Sequence, residues 1–344
     1  MLGAMTTLTP QFQDLSSRTG HGIGCVVVGM TLFVGQDALM KSLLGEYPLW
    51  ILMAIRSAVA VAVLVPLIII LGGPHRLRSP NWRLHLLRAA LFSGGFSLFY
   101  AAFPFMGLAK VTTIFFSAPL MIALIAAAVL REPVGRHRAG ALIAGFAGVV
   151  IAINPGGGGV GWTALLPLTC AAFYATGQVL ARRIGDSESS LTVGLWTLLF
   201  AGPIVLATGW ALNQVISFGP EFSHLRWQVP TSLPANPWVP LVLGGLGMAG
   251  YTTLSRAYQI ADASVIAPFD YSYLPIAALV AWLLWGEVPT MTTLIGMALI
   301  VSSGLYIAWR ELRAERPRDA SAMVAESVTA PGSPFATPDG AETP

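Results

Sequence analysis

The stretch Pro268-Phe-Asp-Tyr-Ser-Tyr-Leu-Pro275 carries the strongest chemical signal in the sequence, because it places a carboxylate inside an apolar run. Two prolines seven residues apart interrupt helical hydrogen bonding and free backbone carbonyls. Asp270 would take a proton or a cationic group there, while Tyr271 and Tyr273 add aromatic faces and hydroxyls. The alternative is a proline-kinked packing helix whose tyrosines point to the membrane interface.

Asp37 and Arg56 are a second acid and base within apolar runs. An ionisable residue in a membrane span costs roughly 2.5–3.5 kcal/mol, so each is a functional candidate. By helical rise, Asp37 lies about 7 Å and Arg56 about 12 Å from the same surface. We predict that they pair, with Lys41 one turn above Asp37. The pair either fixes two helices to each other or belongs to a binding site. In a binding site, the planar guanidinium of Arg56 would hold a carboxylate or phosphate through two hydrogen bonds.

Other polar and aromatic positions are weaker candidates. The stretch Phe115-Phe116-Ser117-Ala118-Pro119 matches the Asp270 segment in being aromatic with a proline, and we expect the site to lie between the two. The polar residues within spans that would line the same cavity are Tyr100, Tyr174 and Gln178. Two acids stand close to prolines at turns, where a carboxylate satisfies free N–H groups of a helix start; these predicted caps are Glu132 and Glu287.

The composition is that of a polytopic membrane protein. Of the 344 residues, 55% are hydrophobic and 10% charged, with mean hydropathy +0.70, whereas soluble domains carry about 25% charged residues. The net charge is +3, and the basic residues lie in short loops between apolar runs, so they indicate membrane topology and not nucleic-acid binding. The histidines and cysteines show no metal-ligand spacing, and no disulfide, metal or other cofactor is expected.

A helix needs about 20 apolar residues to cross a bilayer. The sequence predicts ten such spans, at 22–41, 48–71, 84–105, 109–130, 138–154, 160–181, 190–213, 238–259, 263–285 and 290–309. The fold class is therefore an all-α integral membrane protein. Residues 1–21 are predicted to be a polar cytoplasmic segment without regular structure, 155–161 a Gly-rich hinge, and 310–344 a disordered cytoplasmic tail.

The chain contains an internal repeat. Residues 119–152 align without gaps on 275–308, and matched positions carry Pro119 and Pro275, Pro133 and Pro289, Gly140 and Gly296, and Gly148 and Gly304. Each copy is an apolar run, an acid-proline turn and a second apolar run. We therefore expect two five-helix repeats, at 22–154 and 162–309, with Gly140, Gly148, Gly296 and Gly304 allowing close helix packing.

The distribution of basic residues predicts the orientation. With the N-terminus inside, 15 of the 19 Lys and Arg residues fall on the cytoplasmic side, three fall outside, and Arg56 lies within a span. The three outer residues are Lys41, Lys110 and Arg226. Both termini are then cytoplasmic, and an odd number of spans per half makes the two repeats inverted.

The ten spans, the repeat and the apolar runs ending in Arg131-Glu132 and Gly286-Glu287 resemble the EamA branch of the drug/metabolite transporter superfamily. Segments 37–41, with Arg56, and 261–271 are similar to its subgroup of S-adenosylmethionine and riboflavin transporters. Arg131 departs from the glycine usual in that family. The resemblance covers about residues 20–310 and implies the inverted-repeat transporter fold.

The function predicted is secondary active transport of a small organic metabolite across the bacterial inner membrane by alternating access, coupled to protons or to exchange. The sequence contains no Gly-rich phosphate loop, so ATP is not expected to drive it. A non-transporting scaffold or sensor is the alternative, and a membrane enzyme is disfavoured because acids and histidines do not cluster at one face. The lipid bilayer and a metabolite are the expected partners, with monomer and homodimer both open.

Overall fold

The computed structural model describes residues 9–70, 73, 77–130, 135–156, 161–185, 190–228, 238–261 and 263–314. These residues form helices and turns, and none of them lies in a strand. The helices are α1 Thr9–Leu43, α2 Leu49–Ile70, α3 Trp82–Ala101, α4 Leu108–Phe115, α5 Ala118–Leu130, α6 Arg136–Ile153, α7 Leu165–Gly185, α8 Ser190–Val215, α9 Val239–Ile260, α10 Ala263–Ile266, α11 Tyr273–Trp285 and α12 Met291–Ala314.

Eight helical segments among the described residues are long and apolar enough to cross a membrane. They are Thr19–Leu43, Leu49–Ile70, Leu108–Ala128, Arg136–Ile153, Gly161–Leu180, Leu191–Val215, Ala267–Trp285 and Met291–Arg310. The predicted spans at 84–105 and 238–259 correspond to α3 and α9. These helices have 20 and 22 residues, but they are not among the eight segments because they are less apolar. Their composition explains this, since α3 begins with three basic or histidine side chains and α9 contains four glycines.

The ends of the predicted segments differ from the structure. Helix α1 begins at Thr9, inside the segment 1–21 that the sequence predicts to lack regular structure. No proline or glycine interrupts residues 11–19, so the helix extends beyond its apolar part. Helix α6 ends at Ile153, because Asn154 has a left-handed φ of 50° that terminates it before the predicted hinge. Residues 157–160 of that hinge, and 315–344 of the tail, lie outside the described residues.

The helices pack in pairs that join the two halves of the chain. Helix α1 packs on α9, and α3 packs on α7. Helix α2 contacts α8 and α9, while α8 also contacts α3. Helix α6 packs along α12, and α4 meets α11. A core of buried aromatic and aliphatic residues extends through these contacts.

Glycines permit a close approach between α6 and α12. A Cβ built on Gly148 would lie 2.7 Å from the Leu299 Cβ, and one built on Gly296 would lie 2.5 Å from the Gly148 carbonyl oxygen. Gly304 leaves room for Tyr271, whose hydroxyl would collide with a Cβ there. Gly140 differs from the prediction, because nothing lies within 4 Å of its Cβ position and it is exposed.

Two helical segments are broken at positions that the sequence repeat matches. The first break is at Phe116 and Ser117, between α4 and α5, just before Pro119. The second is the 3₁₀ segment Ala267–Ser272, which begins next to Pro268 and runs into α11. Proline removes an N–H donor and clashes with the preceding turn, so both breaks follow from the sequence. They place α4 and α11 in contact in the core.

Candidate functional site

Asp37 on α1 is fully buried and is held by two tyrosine hydroxyls. Tyr100 of α3 donates to Oδ1 at 2.9 Å, and Tyr273 of α11 donates to Oδ2 at 2.5 Å. A carboxylate buried in apolar surroundings needs such donors, because an unpaired charge there is expensive. The acid therefore joins three helices from both halves of the chain.

Arg56 on α2 reaches Asp37 through Tyr100, so the predicted pairing is indirect. Its Nη1 donates to the Tyr100 hydroxyl at 2.6 Å. The guanidinium carbon lies 5.5–5.7 Å from three ring centroids of α3, those of Phe92, Phe96 and Tyr100, within the range of cation–π attraction. Arg56 is 4% exposed, and its Nη2 has no hydrogen-bond partner among the described residues.

Aromatic rings surround this guanidinium. Phe96 lies at the centre of the cluster, with neighbouring ring centroids between 4.7 and 6.2 Å away. Those neighbours are Phe92, Phe99, Tyr100, Phe115 and Tyr174. The arrangement combines flat apolar faces with a buried donor that has no partner in the described part of the chain, which suits a planar ligand bearing a hydrogen-bond acceptor.

The two helix breaks meet at Phe116. Its ring centroid lies 5.8 Å from that of Tyr271 and 5.5 Å from that of Tyr273. Ser117, next in the chain, is fully buried, and its hydroxyl has no partner among the described residues. The structure thus brings together the two stretches between which the sequence predicts the site.

Asp270 lies in the second break and is also fully buried. Tyr258 of α9 donates to its Oδ2 at 2.7 Å, while Oδ1 has no partner among the described residues. Tyr273 follows the 3₁₀ segment, and its hydroxyl is directed to Asp37 and not to Asp270. The two acids therefore have separate tyrosine partners.

Tyr174 and Gln178, predicted to line the cavity, lie one turn apart on α7. Gln178 donates to the Tyr174 hydroxyl at 2.9 Å. Its Oε1 accepts from Arg88 of α3 at 3.2 Å, and Arg88 also donates to the Thr197 hydroxyl at 3.2 Å. Arg88 is 4% exposed, although the charge count assigns it to the cytoplasmic side.

Sequence reasoning missed Arg88 as a buried base. A signal for it exists, because the four-residue spacing from Arg88 to Phe92, Phe96 and Tyr100 places all four side chains on one face of α3. That face carries the rings around Arg56, so Arg88 belongs to the same side of the helix.

Glu287 lies in the turn between α11 and α12, and its carboxylate accepts the N–H at the start of α4, not one at the start of α12. Its Oε2 accepts from the Leu108 backbone N–H at 3.1 Å, at the start of α4, and its Oε1 pairs with Lys41 of α1. The Lys41 ammonium also lies 4.4 Å from the centroid of the Trp285 ring. Thr290, and not Glu287, caps α12, through the N–H of Thr293.

The other predicted cap, Glu132, lies outside the described residues.

The loop that follows α8 packs against the start of α2 and the end of α8. Trp50 and Asn213 both donate to the Leu225 carbonyl, at 2.9 and 3.0 Å. His224 is buried beside Phe105, and this burial lowers the pKa of the His224 imidazole. The segment Pro220–Leu225 is therefore fixed to α2 and α8.

Among the described residues, no group of three or more His, Cys, Asp or Glu side chains could hold a metal. Buried acids, a buried base and aromatic rings inside apolar helices are typical of membrane proteins that handle small molecules. These features define a polytopic helical membrane protein with a polar, aromatic centre.

Comparison with known proteins gives the family. The model of the EamA-like transporter family matches residues 20–154 and again 161–309, and the chain belongs to this family. It is an integral membrane protein of the transporter class and not an enzyme.

Curated relatives cover most of the chain. A riboflavin transporter of Vibrio cholerae is 29% identical, over 77% of this chain and 85% of its own length. A riboflavin transporter of Rhizobium johnstonii is 32% identical, over 68% of this chain and 72% of its own length. An S-adenosylmethionine uptake transporter of Rickettsia bellii is 25% identical, over 85% of this chain and 95% of its own length.

A solved crystal structure shares the fold. It covers 88% of this chain and 99% of its own, with a TM-score of 0.54 at 20% sequence identity.

Sequence reasoning also missed the partners of the acids. Tyr258 lies in a different helix from Asp270, and no spacing in the sequence connects the two. The same holds for Lys41 and Glu287, which are 246 positions apart. Such contacts depend on how the helices pack, so the sequence pattern does not contain them.

Proposed function

We propose that this protein is a secondary carrier of a small, flat organic metabolite, with riboflavin as the first candidate, across the bacterial inner membrane. It works by alternating access, with a gradient of protons or of an exchanged metabolite as the driving force. The observation that carries the proposal is the buried Arg56 guanidinium, which keeps Nη2 unpartnered among the described residues inside a cluster of aromatic rings.

The architecture proposed is ten spans in two inverted repeats. The helix pairing supports it, because contacts correspond when the second half is laid on the first: α1 with α9 matches α7 with α3, and α2 with α9 matches α8 with α3. The two matched breaks support it as well. Inverted repeats with broken helices at the centre are typical of secondary transporters.

The orientation proposed places both termini in the cytoplasm, as the distribution of basic residues favours. The end of the bundle that carries Lys41, Leu108 and Glu287 then faces outward. In this conformation that end is held together by the Lys41–Glu287 ion pair and by the loop fixed through Trp50.

Several of the proposed site residues have a specific proposed role. Arg56 donates to an acceptor on the ligand, and Asp37 holds Arg56 in place through Tyr100. Phe116 and Tyr271 offer ring faces. The remaining members of the proposed site are Ser117, Tyr273, Asp270, Tyr174 and Gln178.

Riboflavin is preferred as the substrate because its ring system is flat and carries carbonyl acceptors, which suit the rings and the guanidinium. The names of the Vibrio cholerae and Rhizobium johnstonii relatives agree with this choice. S-adenosylmethionine is the second candidate, because the Rickettsia bellii relative aligns over 85% of this chain and two buried acids could receive its cationic groups.

The test is flux into liposomes that contain the purified full-length protein. Labelled riboflavin and S-adenosylmethionine are offered separately, with empty liposomes as the control. We expect riboflavin to equilibrate faster than in empty liposomes, and Arg56→Lys to lose most of this flux because lysine lacks the planar fork. Folded protein that moves neither compound would favour the scaffold or sensor interpretation.

A further inference from the structure

Two buried acids among the described residues stand in opposite surroundings. Asp37 accepts two hydroxyl hydrogen bonds and has the positive charge of Arg56 on the far side of Tyr100. Asp270 accepts one hydroxyl hydrogen bond, and its second oxygen has none among the described residues. Asp37 is therefore suited to the charged form, whereas a charge on Asp270 would lack compensation.

In the described ranges, the titratable groups that interact with Asp270 are tyrosines. Tyr258 comes from α9, Tyr174 from α7, and Tyr271 is its neighbour in the break. On the part of α1 whose side chains the structure describes, residues 19–43, the fully buried charged residue is Asp37, to which Tyr273 donates. Within the described part of the chain, no lysine or arginine pairs with Asp270.

The break that carries Asp270 is covered by a neighbouring helix. Residues 267–272 form a 3₁₀ segment between α10 and α11, and α1 packs against it. Broken helices at the centre of secondary transporters hold their coupling ions. The Asp270 carboxyl group is shielded from water in this conformation, and separation of these helices would expose it to water.

We propose that Asp270 is the proton-binding site that couples transport to a proton gradient, a proposal that rests on the carrier function above. The proton binds Oδ1, forming a neutral carboxyl group while Tyr258 remains bonded to Oδ2. It leaves to water when the break opens to the other side of the membrane. Asp37 keeps its two hydroxyl donors and the nearby charge of Arg56, so it is not the site that this proposal assigns to the proton.

The first measurement needs no substrate. Infrared spectra of the purified full-length protein near neutral pH should show a protonated-carboxyl band that Asp270→Asn removes. The matched control is Glu46→Gln, an exposed acid changed to its amide, which should leave the band in place. A band unchanged by Asp270→Asn would overturn the proton site.

The second measurement tests coupling in liposomes. An imposed pH gradient should accelerate riboflavin uptake by the wild type, whereas the rates of Asp270→Asn with and without the gradient should be equal. Acceleration of the wild type by a sodium gradient instead, or a pH response that survives in Asp270→Asn, would overturn the proposal. Absence of all riboflavin flux in the wild type, with the infrared band present, would count against the carrier function and not against proton binding.

Tyr258→Phe provides a variant that keeps the carboxyl group in case Asp270→Asn does not fold. Loss of the hydroxyl donor favours the neutral form of Asp270. The pH at which the infrared band is half lost should therefore rise, and an unchanged midpoint would contradict the assignment.

Discussion

The Tyr100 hydroxyl accepts a hydrogen bond from Arg56 and donates one to Asp37, so a single oxygen connects a buried base to a buried acid. Tyr100→Phe would leave both charged groups short of a partner. We expect the free energy of unfolding to fall by about 1.5–3 kcal/mol, the range for hydrogen bonds to charged groups. Unfolding titrations in mixed micelles measure this change.

The matched control for Tyr100→Phe is Tyr47→Phe, which removes a hydroxyl from another buried tyrosine. Its effect should be clearly smaller, because the hydrogen bonds of Asp37 and Arg56 do not involve Tyr47. Equal losses in the two variants would mean that the Tyr100 hydroxyl has no special role.

At the residue scale, the sequence identifies charges better than contacts. Asp37, Arg56 and Asp270 stand out because ionisable residues are rare in apolar runs. The sequence does not single out Tyr258, and it predicts Tyr100 as a cavity-lining residue but not as the partner of Asp37, because these contacts cross from one helix to another. The direct pairing predicted for Asp37 and Arg56 differs from the structure for the same reason, because it omits the third helix.

At the scale of helices, Glu287 connects α1, α4 and α11 at one end of the bundle. From the turn after α11, it pairs with Lys41 of α1 and accepts from the Leu108 N–H of α4. Removing its charge should let that end open more often. Ala109 at this end is 4% exposed. In a background with Ala109→Cys, we expect Glu287→Gln to raise the rate of thiol modification about five- to thirtyfold. This factor corresponds to a fall of about 1–2 kcal/mol in the free energy needed to open this end.

The control for this experiment is Glu46→Gln, which changes an exposed acid in the loop between α1 and α2. It should leave the modification rate unchanged. A rate that does not respond to Glu287→Gln would show that the ion pair does not hold this end closed.

Close packing of α6 on α12 depends on the glycines. Gly148→Ala would press a methyl group against Leu299 and the Gly296 carbonyl, so it should destabilise the protein by about 1–3 kcal/mol. Gly140→Ala, on the same helix with open space around it, should be neutral or stabilising by up to about 1 kcal/mol, because alanine favours helix. Thermal unfolding of both variants checks the contrast, and similar shifts would contradict it.

At this scale the two prolines of 268–275 predict one helix break, and the repeat matches Pro275 to Pro119, which lies beside the other break. The sequence did not predict that α1 continues back to Thr9, because its first turns lack an apolar pattern. Nor did it predict which glycines are in contact, since Gly140 and Gly148 look alike in the sequence and differ only in what faces them.

For the whole molecule, the basic residues predict the orientation of the bundle in the membrane. The exposed Ser217 follows α8 and should face outward, while the exposed Gly135 precedes α6 and should face the cytoplasm. Single cysteines at these positions, in a background that lacks Cys25 and Cys170, report the orientation. A membrane-impermeant maleimide should label Ser217→Cys in intact spheroplasts and label Gly135→Cys only after the membrane is permeabilised. The reverse pattern would invert the orientation, and it would place the Lys41–Glu287 ion pair on the cytoplasmic side.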